Sequence, residues 1–134
     1  MSDGKQIART VRLGQRPANI NDVVRFVDVD GAELLLPATF RYRTLTEFGG
    51  LLDEVFGAVL ETPVDEQGRM SSKIQQRQRV QLNGQYLFAI LADWGLDVPL
   101  TIAACIQLAD ELPAAAQALM DRYRQLITEG RLGN

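Results

Sequence analysis

An α+β fold is the class this sequence predicts: an N-terminal β-hairpin or small antiparallel sheet followed by a bundle of about four α-helices. Three observations predict it. Two runs rich in branched and aromatic residues flank Asp30-Gly31, the pattern of a hairpin. Thr44-Leu45-Thr46-Glu47 then opens a stretch with helical periodicity, as a capping box does. Beyond it, Gly95, Pro99, Pro113 and Gly130 divide the rest of the chain into helix-sized pieces.

Taken in order, residues 1–20 are polar, and only Ile7-Ala8-Arg9-Thr10-Val11-Arg12-Leu13 has strand character. A flexible or edge-paired segment is expected there. The hairpin is expected over about 22–43. Val23-Val24-Arg25-Phe26-Val27-Asp28-Val29 leads into Asp30-Gly31, which suits a two-residue type I′ turn. On the return run, Leu34, Leu36, Ala38, Phe40 and Tyr42 share one face, with Arg41 and Arg43 opposite. Pro37 lacks the amide hydrogen a ladder needs, so this run is expected at a sheet edge, or as two short strands joined at a bulge.

A helix over about 45–60 follows, with Phe48, Leu51, Leu52, Val55, Phe56, Val59 and Leu60 on one stripe. Gly49 and Gly50 weaken its first turn by about 1 kcal/mol each relative to Ala, a cost that close approach of a strand would explain. Residues 62–72 read as a loop. A long helix is expected over about 73–94, polar and basic at its start, with Val80, Leu87, Ile90, Leu91 and Trp94 on its buried stripe. Pro99 suits the first turn of a third helix, about 100–110, and Pro113 opens a fourth, about 113–129. In the fourth, Ala116, Leu119, Met120, Tyr123, Leu126 and Ile127 form the buried stripe. Gly130 is its C-cap and 131–134 its tail.

At 134 residues, with 46% hydrophobic and 23% charged residues, the chain suits one domain over about 21–130 with a real core. No apolar run is long enough to span a bilayer. Residues 1–5, Met-Ser-Asp-Gly-Lys, lack the apolar core of a signal peptide, so a cytoplasmic location is expected, away from membranes. The net charge of −3 argues against nucleic acid as a partner.

The chain contains no histidine, which removes Ser-His and Cys-His nucleophiles, imidazole bases and the usual zinc sites. Its single cysteine, Cys105, sits among Ile102, Ala103, Ala104 and Ile106 and reads as a buried small hydrophobe. Asp28-x-Asp30-Gly31 resembles the start of a calcium loop, but Pro37 stands where the ligating Glu belongs, so a hairpin turn is the better reading. Gly49-Gly50 lies inside a helix without a phosphate-binding motif around it. Asp53-Glu54, Asp65-Glu66 and Asp110-Glu111 are sequence neighbours whose side chains diverge on a helix. They read as solvated charges. No enzyme activity, metal or cofactor is expected. Trp94 and Tyr123 are read as core residues. The basic stretch Lys73 to Arg79 reads as a solvated face, and Lys73, Arg77 and Arg79 would suit an acidic or polar protein partner if they serve as contacts.

Three segments in order resemble tail assembly chaperones of long-tailed phages and prophages, over roughly 32–134. The first is Phe40-Arg41-Tyr42-Arg43-x-Leu45-Thr46, an aromatic and basic strand end running into a helix. The second is Phe88-Ala89-Ile90-Leu91-Ala92-Asp93-Trp94-Gly95-Leu96, similar to that family's apolar helix and W-x-L turn. The third is Pro113-Ala114-Ala115-Ala116-Gln117-Ala118-Leu119 with its aromatic-bearing helix and the end Arg131-Leu132-Gly133-Asn134. Val98-Pro99-Leu100-Thr101-Ile102 departs from the family's usual acidic link.

The resemblance implies a non-enzymatic, cytoplasmic assembly factor that binds the tape measure protein, helps recruit the major tail protein during tube assembly and self-associates. It implies that spare amphipathic helix faces shield the client, with Lys73, Arg77, Arg79, Arg131 and Leu132 as candidate contacts. The alternative is a structural phage component, a head–tail connector or minor tail protein, retained in the virion.

Overall fold

The computed structural model describes residues 10–58 and 63–130. Strands β1 (Asn19–Val27) and β2 (Glu33–Arg41) form the hairpin, followed by helices α1 (Leu45–Phe56) and α2 (Ser72–Ile90). A third strand, β3 (Leu91–Trp94), continues directly from α2, and helices α3 (Ile102–Glu111) and α4 (Pro113–Glu129) complete the chain. The sheet is antiparallel in the order β1-β2-β3. This is the α+β architecture expected from the sequence.

The hairpin closes with one residue more than a two-residue turn. The Asp28 amide donates to the Ala32 carbonyl (2.8 Å), and the Gly31 amide to the Asp28 carbonyl (2.9 Å). Gly31 takes φ 88°, a left-handed conformation that costs glycine little. The Asp-Gly signal thus located the turn while its length differed. The Asp28 and Asp30 carboxylates accept backbone amides within it, from Val29 and Ala32.

Pro37 lies in the central strand, contrary to the edge position expected for it. The Gly95 amide donates to the Pro37 carbonyl at 2.8 Å, so the backbone polar groups of Pro37 face the β3 side. Its missing N–H therefore removes no bond between β1 and β2, where Pro37 lies opposite Val23. The bulge occurs on the β3 side instead, where Thr39 pairs with Asp93 and Phe40 with Leu91. Ala92 is the extra residue.

That bulge corrects the helix expected over 73–94, which ends at Ile90. Strict strand alternation would send Leu91 and Trp94 to opposite faces. The extra residue turns both toward the core, and both are buried. Spacing three apart, which imitates a helical stripe, here arises from a bulged strand.

The capping box of α1 is present: the Thr44 hydroxyl accepts the Glu47 amide (3.1 Å), and the Glu47 carboxylate accepts the Thr44 amide (2.9 Å). Arg16 adds an ion pair to Glu47 at 2.9 Å and lies over the Tyr42 ring. The Thr44 amide first and Arg16 second hold the Glu47 carboxyl below its usual pKa. This helix stops at Phe56 with Gly57 as C-cap; Val59 and Leu60 lie outside the described residues. A side chain at Gly49 or Gly50 would meet nothing within 4 Å, so close approach of a strand does not account for them. Residues 10–13 form neither helix nor strand, and the rest of the expected N-terminal strand lies outside the described residues. The third helix begins after Pro99, with the Thr101 hydroxyl accepting the Ala104 amide at 3.0 Å. Pro113 opens α4 and Gly130, at φ 75°, closes it.

One face of the sheet carries the core. Val24, Leu36, Ala38, Phe40, Leu91 and Trp94 meet Leu87 and Ile90 of α2 and Leu119 and Tyr123 of α4 in a single buried cluster. Tyr123 packs its ring against Phe40 and Phe48, at centroid distances of 5.6 and 5.8 Å. Cys105, from α3, is fully buried in this cluster. Burial pushes its thiol pKa up to about 11, and the thiol stays protonated at neutral pH.

Candidate interaction surface

Alternation along β1 and β2 fixes which side chains leave the core. If Val24, Leu36, Ala38 and Phe40 point inward, then Asn21, Val23, Arg25 and Val27 point outward from β1, with Leu35, Pro37 and Thr39 from β2. Among the described residues, all the helices that pack on the sheet do so on the core face. Among the described residues the opposite face is open, bordered along β1 by Ala118, Asp121, Arg122 and Gln125 of α4.

It carries apolar side chains beside charged ones. Val23, Val27 and Leu35 are 54%, 56% and 60% exposed, well beyond what a packed position allows. Val23 lies directly opposite Pro37, and Leu35 lies opposite Arg25, diagonal to both valines. These side chains are within reach of one another on a pleated sheet. Gly95 extends the surface past β2; a side chain there would come within 2.8 Å of the Pro37 ring.

One polar pair crosses this stripe and another ends it. Arg25, between Val23 and Val27, and Glu33, opposite Val27, form an exposed ion pair at 3.7 Å, and beyond Val23 and Pro37 the Thr39 hydroxyl donates to Asn21 Oδ1 at 2.8 Å. Asp93 completes the polar row beside Thr39, and its carboxylate accepts the Trp94 amide at 2.9 Å. A shallow depression of about 600 Å³ opens over Asn21, Val23, Pro37, Thr39, Asp93 and Gly95. Exposed apolar side chains interleaved with polar ones make this face a candidate contact surface.

The Trp94 turn supports this face from behind. The Trp94 indole N–H donates to the Val98 carbonyl at 2.9 Å, closing the loop that carries Gly95. Just beyond, Val98 and Ile102 are half exposed, in the segment that departs from the acidic link seen in the resemblance.

The residues singled out from sequence lie elsewhere. Lys73, Arg77 and Arg79 are exposed on the first half of α2, away from the core residues that begin at Gly84. None of the three enters an ion pair among the described residues. Arg131 and Leu132 lie outside the described residues. Sequence reasoning missed Val23, Leu35 and Pro37 as surface residues, although the unbroken run Leu34-Leu35-Leu36-Pro37 was a signal. A half-buried strand alternates, whereas this one is apolar on both faces.

The described residues hold no cluster of three or more His, Cys, Asp or Glu placed to bind a metal, and no helix among them is long and apolar enough to cross a membrane. A family model described as phage tail assembly chaperone matches residues 7–134. The chain belongs to the phage tail assembly chaperone family. Neither a curated protein nor a solved structure matches it. Phage tail assembly chaperones are not enzymes; they work with tail proteins during assembly in the host cell. The family match also covers residues 7–31, ahead of the three resembling segments.

Proposed function

We propose that this chain binds the tape measure protein in the host cytoplasm and helps bring major tail protein subunits to it while the tail tube grows. The observation that carries the reading is the uncovered apolar stripe of Val23, Val27, Leu35 and Pro37 on the sheet. A long helical client exposes apolar faces until the tube encloses it, and a reversible apolar surface suits its protection. The helix faces expected to shield the client still expose Leu45, Phe56, Phe88 and Ile102, and the sheet face adds to them. Lys73, Arg77 and Arg79 supply a second contact for acidic segments of the partner, and several copies on one client raise the avidity of weak single contacts.

Co-expression with the long, coiled-coil-rich protein encoded immediately downstream tests this. That protein becomes soluble and co-purifies with the chain if the reading holds. If its solubility is indifferent and the chain is found in purified particles instead, the role is that of a structural component.

A further inference from the structure

We infer that residues 10–13 of one copy add a strand to the open edge of β1 in a second copy, and that the exchange is reciprocal. It holds whichever client the chain serves. Two loose ends on one chain point to it. The run over 7–13 has strand character, yet Val11 and Leu13 are 87% and 97% exposed, and residues 10–13 join no strand. The sheet in turn ends at β1, which pairs only with β2 among the described residues. The family match begins at residue 7 and so takes in the whole run. Extended backbone suits such an edge, because the amides and carbonyls there call for ladder partners.

Parity decides which groups lie on that edge. The Asp28 amide bonds to the Ala32 carbonyl and the Tyr42 amide to the Ala18 carbonyl, so the even residues of β1 bond to β2. Val23, Arg25 and Val27 turn their amides and carbonyls the other way. The Val23 amide donates to Asp22 Oδ1 at 2.8 Å, whereas that of Arg25 meets no acceptor among the described residues. A depression of about 730 Å³ runs beside this edge, walled by Ala118, Asp121 and Gln125 of α4.

In their own chain, residues 10–13 lie elsewhere. Gly14 turns the backbone at φ 86°, and Thr10, Val11 and Arg12 share a depression with Gln15, Arg16 and Pro17, ahead of β1. The approach to β1 already follows the strand line, with Ala18 bonded to Tyr42 and Arg16 over the Tyr42 ring. Opening the turn at Gly14 brings residues 10–13 into that line. Two such chains, antiparallel about Ala18, place Leu13 opposite Val23 and Val11 opposite Arg25. Both apolar side chains then extend the outer face beside Val23. Arg12 falls on the other face, beside Asp121 of the second copy. Neither Arg12 nor Asp121 enters an ion pair among the described residues, and the neighbouring cation Arg122 is held by Asp22. Opposite charges therefore meet there. A ladder over 11–25 is roughly 46 Å long and, at about 10 Å sheet thickness, covers roughly 460 Å² per partner. That is the weak end of specific interfaces, so the pairing is reversible.

Sedimentation of the full chain from about 10 μM to about 1 mM, with amide hydrogen exchange read at Arg25, tests this. A monomer–dimer equilibrium is expected, and the Arg25 amide should slow by about tenfold or more as the dimer forms. Val11→Pro removes the amide that would donate to the Arg25 carbonyl and touches no core residue. It should return the chain to monomer with fast exchange at Arg25. Arg12→Glu and Asp121→Arg should each weaken the dimer by about threefold or more, and the double variant should restore it. Both side chains are exposed, so the folded monomer is expected to keep its melting temperature.

Protection of Arg25 that does not change with concentration would put the added strand in the same chain and overturn the exchange. A dimer that survives Val11→Pro would overturn the part played by residues 10–13. A double variant no better than the single ones would overturn the register that sets Arg12 beside Asp121. A chain that stays monomeric throughout, with fast exchange at Arg25, would overturn the inference as a whole while leaving the chaperone role intact.

Discussion

Tyr123, in α4, donates its hydroxyl hydrogen to the carbonyl oxygen of Arg41 at the end of β2, 2.9 Å away. The Tyr123 hydroxyl oxygen in turn accepts from the Arg43 guanidinium at 3.1 Å. The ring is fully buried between Phe40 and Phe48. One residue thus ties the last helix to the point where the sheet hands over to α1.

Tyr123→Phe keeps the ring and removes both hydrogen bonds. A loss of about 1–2 kcal/mol is expected, since the Arg41 carbonyl loses its donor in a half-buried setting. Urea denaturation checks it: the midpoint should fall with an unchanged slope. Tyr123→Ala should cost about 3–5 kcal/mol by leaving a cavity. Equal stability of Tyr123→Phe and the parent would mean that packing alone holds α4 in place.

Gly84 sets the distance between α2 and α3. A methyl group added there would fall 2.8 Å from Ile106 Cα and 2.9 Å from its amide nitrogen, contacts with backbone that a side-chain rotation cannot relieve. Gly84→Ala should gain about 1 kcal/mol in helix propensity yet lose more through forced separation of the helices. The net expectation is destabilisation of about 1–3 kcal/mol. Ile106→Ala in the same chain should recover little of it, because the clash with the Ile106 backbone persists. Thermal unfolding of the two single variants and the double variant decides this, and full recovery would place the strain in the Ile106 side chain.

Cys105 and Tyr86 predict an alkaline limit on stability. Burial raises the Cys105 thiol to about 11 from 9.0, and the Tyr86 phenol to about 12 from 10.0. Both groups are protonated more tightly in the folded chain than in the unfolded one. Their contribution is complete below the unfolded pKa values and is lost as pH rises through the folded ones. Stability should therefore be flat to about pH 9 and fall between about pH 9 and 12. Cys105→Ala should flatten the first part of that fall. In the native chain at pH 8 a thiol reagent should leave Cys105 untouched and label it in denaturant; rapid native labelling would contradict its burial.

Much of this fold was legible because local chemistry and tertiary placement agree. The Thr44 and Glu47 cap, the Pro113 start and the Gly130 stop each act within one turn of helix, so sequence neighbours were enough to reveal them. The miss at Leu91–Trp94 has the opposite cause. Those residues have no local reason to leave the helix; they become a strand because Phe40, fifty-one positions earlier, offers Leu91 a ladder partner. The bulge at Ala92 then restores the three-residue spacing that a helix would give. Pro37 was misplaced for a related reason. Its lack of an N–H excludes one direction of pairing only, and which direction that is depends on where Gly95 lies. The candidate surface was harder to see. Val23, Leu35 and Pro37 look like core until the pairing shows that Val24, Leu36 and Ala38 already fill it.

Charge on the first half of α2 separates function from stability. Lys73 lies in the first turn, where the helix dipole is positive and an acidic residue is preferred. Reversing Lys73, Arg77 and Arg79 to Glu together should leave stability unchanged or raise it by about 0.3–1 kcal/mol through Lys73→Glu. The three side chains are exposed and make no ion pair among the described residues, so no packing is lost. If these cations meet acidic segments of the client, the same variant should co-purify less of it, and the parent's complex should weaken with added salt more than the variant's. Pull-down across a salt series, alongside thermal unfolding of the free chain, measures both. A variant that is stable and captures client as well as the parent would show that this half of α2 is only a solvated face, leaving the sheet to carry the contact.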